Sequence, residues 1–261
     1  MAGRAKSSAN IVEWIPVPDA VGRFSSGVPD LDRLLSGGYR RGSFTLVSAD
    51  ENVLREDLDL LLFPTYLNML YQSRGVVTIL PSNDSPHEFR ERLTRFVTRR
   101  RFDSRVRVME YVGEDAKAPY VVSFHREGQP TGARARAREH RQAVAKAVSG
   151  ERQAQGTGHR PFLELFAAEI FETLMGVEAA TKLYFQGVKR SRQLGNLALG
   201  VLGPGLGCAP ALRRMADVEV AVRREEFGLV IRGVHPAFGR HVIAPDPALG
   251  PPRVVLVPPP A

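Results

Sequence analysis

Residues 25–56 read SSGVPDLDRLLSGGYRRGSFTLVSADENVLRE, and this stretch decides the predicted fold. The Leu-Asp-x-x-Leu spacing within residues 30–35 favours a short helix, which Gly37 and Gly38 end. Residues 44–48 are a short, continuous apolar run, as expected for a central strand of a parallel sheet. The stretch therefore predicts a turn that leads into a buried strand.

A helical pattern follows over residues 54–72, and Pro64 predicts that this helix is bent or divided. Between strand and helix, at residues 49–56, a phosphate-binding loop would read G-x-x-x-x-G-K-[ST]. Here the sequence is ADENVLRE, and its Asp and Glu place negative charge where a triphosphate would lie. The two glycines, the lysine and the hydroxyl residue of the motif are replaced, in chain order, by Ala49, Leu54, Arg55 and Glu56.

The stretch before this loop resembles the beginning of a RecA/KaiC-like ATPase core. The likeness rests on a Ser/Thr-Gly-φ-x-x-Leu-Asp-x-x-Leu-x-Gly-Gly turn followed by Arg-Gly-Ser, here Ser26, Gly27, Val28, Leu31, Asp32, Leu35, Gly37, Gly38, Arg41, Gly42 and Ser43. The resemblance covers residues 24–95 and 195–234. In the second range, a closing strand pair resembles the C-terminal hairpin of KaiC-like domains. The resemblance implies an α/β fold with a RecA-like P-loop NTPase core: a mainly parallel sheet, helices on both faces and a C-terminal antiparallel hairpin.

The same family uses ATP and Mg²⁺, and it assembles as rings or filaments with nucleotide between subunits. Its catalytic Glu-Glu pair is replaced here by Asn83-Asp84, and residues 162–167 offer only Glu164 where an Asp should follow a Walker-B strand. The resemblance therefore implies a non-hydrolysing relative with no catalytic residues. No cofactor is predicted. ATP with Mg²⁺ is expected only if the altered site still binds nucleotide. The remnant of that site consists of Ala49, Asn52, Arg55, Glu56, Asn83 and Asp84, of which Arg55 is the residue suited to hold an anion.

The chain divides into an N-terminal arm at 1–23, a RecA/KaiC-like domain at 24–244 with an Arg-rich insertion at about 126–160, and a Pro-rich tail at 245–261. Three further helices are predicted, a strongly basic one over 86–101, an exposed one over about 134–149 and one over 177–193. The Ser-Pro-x-Glu beginning at Ser85 reads as a capped helix start. Further strands are predicted at 76–80, 106–111, 120–124, 197–202, 218–224 and 229–234, with an edge strand at 254–257.

Basic residues exceed acidic ones, 36 against 28, and lysine accounts for only five of the 36. Arginine binds phosphates and carboxylates well, so clusters at 95–107 and 134–160 are candidates for a nucleic-acid or acidic partner. The alternative is a solvated basic face, because aromatic residues are not interleaved among the arginines of 134–160. The candidate contacts are Arg99, Arg100, Arg101, Arg134, Arg136, Arg138 and Arg141.

Several other classes of function have little support in the sequence. The single cysteine, Cys208, excludes an internal disulfide, and the six histidines lack metal-ligand spacing, so no metal site is predicted. No apolar run reaches the length of a membrane span, and we expect a cytoplasmic protein that does not enter membranes. Residues 203–207 are glycine-rich, which predicts either a tight turn or part of a nucleotide fingerprint.

The leading hypothesis is a pseudo-ATPase that acts as a regulatory or interaction subunit. Its partner would be another protein, such as an active KaiC-like paralogue, or further copies of the same chain. The alternative is a DNA-binding accessory protein of RecA-type recombination or repair, which would use the Arg-rich segments.

Overall fold

The fold was analysed in a computed structural model, which describes residues 14–80, 85–110, 118–123 and 161–260, together with residues 132, 135, 138, 142 and 145. Twelve strands are found among these residues. Ten of them form one sheet in the order β12-β11-β10-β9-β3-β8-β7-β4-β5-β6, and β1 pairs with β2 beside it. This arrangement confirms the predicted RecA-like α/β class.

The centre of the large sheet is parallel, and one end of it is antiparallel. Parallel pairs join β9, β3, β8, β7, β4, β5 and β6, whereas β9 to β12 form an antiparallel ribbon. The strands are β1 (Arg23–Phe24), β2 (Tyr39–Arg40), β3 (Phe44–Ala49), β4 (Val76–Ile79), β5 (Val106–Glu110), β6 (Val121–Ser123), β7 (Leu163–Ala167), β8 (Leu197–Leu202), β9 (Val218–Glu225), β10 (Gly228–His235), β11 (Phe238–Pro245) and β12 (Val254–Val257).

Helices pack on both faces of the sheet and create two apolar layers. One layer includes Leu62, Tyr66, Phe89 and Phe102, and the other includes Phe171, Tyr184 and Leu212. Burial of these large side chains is the main favourable contribution to folding. The helices are α1 (Pro29–Leu34), α2 (Arg55–Tyr71), α3 (Pro86–Leu93), α4 (Arg99–Arg105), α5 (Ala168–Leu194) and α6 (Ala209–Met215).

Two predicted helices differ from the observed ones. Helix α2 runs undivided through Pro64, where Thr65 donates a hydrogen bond to the Ser26 carbonyl oxygen at 2.8 Å and anchors the helix to the turn before it. The basic helix predicted over 86–101 is instead two helices, because Thr98 caps a new start by accepting from the Arg101 N–H at 3.3 Å.

The C-terminal half holds two further differences from the prediction and one agreement with it. The helix predicted over 177–193 is the part of α5 that follows a kink at Gly176, whose φ is 80°, and an unpredicted helical segment from Ala168 precedes the kink. Strand β11 was not predicted, so the antiparallel part has four strands rather than a single hairpin. The edge strand predicted at 254–257 is β12, and its edge is protected because the Leu256 N–H donates to the Asp30 carboxylate at 2.9 Å. Within the described residues, no helix is both long and apolar enough to cross a bilayer.

Candidate functional site

The turn before β3, here named the Asp32 turn (residues 25–38), is held together by a single carboxylate. Asp32 accepts from the Ser25 hydroxyl at 2.5 Å and from the Ser26 N–H at 2.7 Å. Its backbone oxygen accepts from the N–H groups of Gly37 and Gly38. These bonds satisfy polar groups that are buried in the core, so the motif residues in this turn have a structural role.

The loop between β3 and α2 is here named the α2 loop (residues 50–57). Its own carboxylates accept hydrogen bonds from its backbone. Asp50 accepts from the Asn52 N–H at 3.2 Å, and Asp57 accepts from the Leu54 N–H at 2.9 Å. Asp57 also pairs with Arg224 on β9. A phosphate-binding loop presents such N–H groups, and the positive end of its helix, to the phosphate. Here an internal carboxylate already lies at that end.

Arg55, a residue of the α2 loop and the first residue of helix α2, lies in a cluster of charged residues. Its guanidinium is 3.5 Å from the Asp59 carboxylate, and the two side chains are only 13% and 10% exposed. Arg92 on α3 lies 3.5 Å from the other oxygen of Asp59. Burial raises the pKa of the neighbouring Tyr66 hydroxyl to about 12, while Arg55 and Thr78 moderate this increase. Arg55, predicted to hold an anion, is therefore engaged by an anion of its own helix.

The carboxyl end of β7 carries no acidic side chain for a metal ion. Glu164 lies inside the strand, 2.5 Å from Arg190 and 3.4 Å from the Ser191 hydroxyl, both on α5. Burial raises the pKa of Glu164, although Arg190 and Ser191 oppose the shift. The strand ends at Ala167 and is followed by Ala168. Glu164 thus links the sheet to α5.

The remaining predicted site residues fall in different places. Ala49 ends β3, and Asn52 and Glu56 are exposed. Asn83 and Asp84 lie outside the described residues. Ser85 after them begins α3, with its hydroxyl accepting from the Glu88 N–H at 3.1 Å, as the capping pattern predicts. The described residues of this region therefore do not fit the phosphates of a nucleotide, since Arg55 replaces the motif lysine and carboxylates accept from N–H groups of the α2 loop.

A second helix start is occupied in a similar way. Residues 203–207 form a tight turn before α6, where the Glu172 carboxylate accepts from the N–H groups of Gly207 and Cys208, each at 2.8 Å. Burial opposes ionisation of Glu172, but these hydrogen bonds outweigh it and lower its pKa. Burial and the nearby Glu172 raise the pKa of the Cys208 thiol to about 12, so Cys208 is not an activated nucleophile.

The predicted arginine contacts are only partly available. Arg99 pairs with Glu91 at 3.2 Å, and Arg101 stacks over Tyr71 at 4.4 Å from the ring centre, while Arg100 is exposed. Arg138 is also exposed. Arg134, Arg136 and Arg141 lie outside the described residues.

Part of the chain is similar in sequence to known proteins. Residues 13–133 match the protein family described as GvpD basic region 2. Protein GvpD1 of Halobacterium salinarum is 35% identical over 106 residues, which are 40% of this chain and 20% of that protein. Protein GvpD2 of the same organism is 32% identical over 118 residues, 43% of this chain and 24% of that protein. The chain thus spans only a fifth to a quarter of the length of these relatives.

Solved structures match nearly the whole chain. An uncharacterised protein of Pyrococcus horikoshii, PH0321, solved with an unknown peptide, has a TM-score of 0.67 at 13% identity and covers 89% of this chain and 99% of its own. The KaiC-like protein PH0186 of the same organism has a TM-score of 0.60 at 11% identity and covers 92% of this chain and 100% of its own. This chain has a RecA/KaiC-like fold.

Several important residues of this RecA/KaiC-like fold were not identified from the sequence. Asp57 and Asp59 had a local signal, since acidic residues stabilise the first turn of a helix and Asp59 follows Arg55 by four residues. Arg92 and Glu172 had no local signal in the sequence, because their partners are distant in the chain.

Proposed function

We propose that this chain is a regulatory or interaction subunit that has the RecA/KaiC-like frame but does not hydrolyse ATP. The hydrogen bond from the Leu54 N–H to the Asp57 carboxylate carries the proposal. It places a negative charge where a phosphate would have to bind, and the ion pair with Arg224 holds that charge in position.

Electrostatics support the same proposal. A triphosphate approaching the α2 loop would meet Asp50, Glu51, Glu56 and Asp57. Like charges at close range repel strongly where water is partly excluded. Arg55 is the nearest replacement for the motif lysine, and its ion pair with Asp59 would have to break before it could bind phosphate.

The interaction role draws on the similar proteins. PH0321, whose structure matches 89% of this chain, was solved with a peptide. The match to GvpD1 and GvpD2 covers less than half of this chain and at most a quarter of those proteins, so the activities of those whole proteins are not assumed for it. We infer that the fold serves to bind a protein partner, either another chain or further copies of itself.

Isothermal titration with MgATP tests this function. We expect no heat of binding at micromolar nucleotide and no phosphate release above the rate without protein. The Asp57→Asn variant is the matched comparison, since it removes the charge but retains a side-chain oxygen of similar size. Micromolar affinity for MgATP together with turnover by the unmodified chain would refute the proposal.

The DNA-binding alternative is tested separately by fluorescence anisotropy with single-stranded DNA over a series of salt concentrations. Binding with a steep salt dependence, lost in an Arg100→Ala variant, would favour this alternative. The interaction proposal predicts no such binding at physiological salt.

A further inference from the structure

A positively charged groove lies on the antiparallel part of the sheet, on the face of β9 opposite to Arg224, which pairs with Asp57 in the α2 loop. Two adjoining cavities of about 400 and 190 Å³ open on strands β9, β10 and β11. Both cavities are lined by Arg232 and Arg240, and the smaller one also by Arg223. We name this surface the arginine groove.

Strand geometry explains why these arginines share one face. Arg232 pairs with Ala221 on β9, and Val230 pairs with Arg223. Side chains alternate between the two faces of a strand, so Val230 and Arg232 point the same way while Ile231 points into the core. Arg223, Arg232 and Arg240 are all exposed.

The groove has more positive than negative charge. Glu225 lies in it and pairs with Arg240 at 3.2 Å. In the part of the chain that the structure describes, Arg223 and Arg232 have no carboxylate partner. Three guanidinium groups therefore face one carboxylate, and the groove is complementary to an anionic ligand.

The lining distinguishes among anionic ligands. Exposed Val234 and the half-buried ring of Phe238 lie beside the arginines and give the groove some apolar contact area, whereas Val230 is buried. An extended peptide offers side chains at similar spacing, and arginine binds carboxylates through two parallel hydrogen bonds. A nucleic acid would be bound chiefly through a series of phosphate contacts, and three arginines offer few of them.

We propose that the arginine groove binds an acidic, extended segment of a partner protein. This inference specifies the partner surface of the interaction role proposed above and rests on that role. It is independent of the nucleotide site, so MgATP titration and peptide binding can fail separately. If the chain binds neither the peptide nor MgATP, the proposal for the arginine groove is contradicted and the non-hydrolysing proposal stands.

The experiment is fluorescence anisotropy of the full chain with fluorescein-labelled hexaglutamate, and hexaglutamine is the uncharged control peptide. We expect saturable binding of hexaglutamate at low salt. The Arg232→Ala/Arg240→Ala double variant should bind at least tenfold more weakly. Arg232→Lys should bind better than Arg232→Ala, because it keeps the charge and loses only the paired geometry.

The matched control is Lys189→Ala, which removes an exposed cation on α5, a helix that packs on the central strands β7 and β8, and should bind hexaglutamate like the unmodified chain. Thermal unfolding of each variant verifies that the fold is intact. The proposal is overturned if the double variant is folded and binds as tightly as the unmodified chain. It is also overturned if an oligonucleotide, rather than hexaglutamate, is the probe whose binding requires Arg232, or if the groove variants change only self-association in sedimentation velocity.

Discussion

The Asp32 turn and the α2 loop use the same interaction with opposite consequences. In each, an aspartate carboxylate accepts hydrogen bonds from nearby backbone N–H groups. In the Asp32 turn these bonds are buried and join residues of the core. In the α2 loop they are exposed, and they occupy donors that a phosphate would otherwise use.

This difference separates what the fold requires from what nucleotide binding requires. The turn can be changed only at the expense of buried polar groups and close backbone contacts. The loop satisfies the Asn52 and Leu54 N–H groups with its own carboxylates, and these two donors need no bound phosphate. The frame of a nucleotide-binding protein can thus be retained while its binding loop changes.

The largest effect is expected at Gly27, in the Asp32 turn. Its φ is +80°, and a Cβ there would collide with the backbone oxygen of Pro64 in α2. We predict that Gly27→Ala lowers the free energy of unfolding by about 3 kcal/mol, combining backbone strain with a steric clash. Urea denaturation monitored by circular dichroism measures it.

Gly22→Ala is the matched control, since Gly22 has a similar φ of +72° but no atom within 4 Å of the added Cβ. It should cost only about 1 kcal/mol. Equal costs for the two variants would show that the contact with α2 contributes nothing to the role of the turn.

An intermediate effect is expected at Arg55, in the α2 loop. Removal of one partner from a buried ion pair is strongly destabilising, but here Asp59 retains Arg92. We predict that Arg55→Ala lowers the free energy of unfolding by about 2 kcal/mol, with no change in the response to MgATP. Urea denaturation and nucleotide titration of the same sample measure both quantities.

Arg99→Ala provides the comparison for Arg55, because Arg99 is 66% exposed in its ion pair with Glu91. Its removal should change stability by less than about 0.5 kcal/mol. A stable Arg55→Ala variant with altered nucleotide affinity would instead make Arg55 an anion-binding residue and undo the contrast between turn and loop.

Local patterns predicted the frame well, because the signals lie within a few residues of each other. The apolar runs at 44–48 and 197–202 are strands β3 and β8. The break between α3 and α4 escaped prediction because helical periodicity continues across Thr94 and Thr98 while their backbone contacts end the first helix and begin the second. Strand β11 was missed because its glycine and arginine obscure the apolar alternation.

The site was harder to predict, because its interactions join distant parts of the chain. The absence of the phosphate-binding motif could be read from residues 49–56. The sequence did not predict the pairing of Asp57 with Arg224 or the hydrogen bonds from the backbone before α6 to Glu172. These partners meet only when the chain has folded. The arginine groove likewise requires the registers of β9, β10 and β11.

The smallest effect, and the one most dependent on pH, is expected at Glu172. Its carboxylate binds the N–H groups that begin α6, as Asp57 does at α2. Because its pKa is lowered in the folded chain, the ionised form stabilises the fold above the unfolded pKa of about 4.3, and this contribution is lost as the pH falls through the lower folded value. We predict that Glu172→Gln costs about 1 kcal/mol at pH 7 and little at pH 3. Thermal unfolding at both pH values measures the difference, with exposed Glu169→Gln as the control. An equal loss of stability at the two pH values would mean that packing rather than charge stabilises the start of α6. The starts of α2 and α6 would then share a geometry but not an electrostatic interaction.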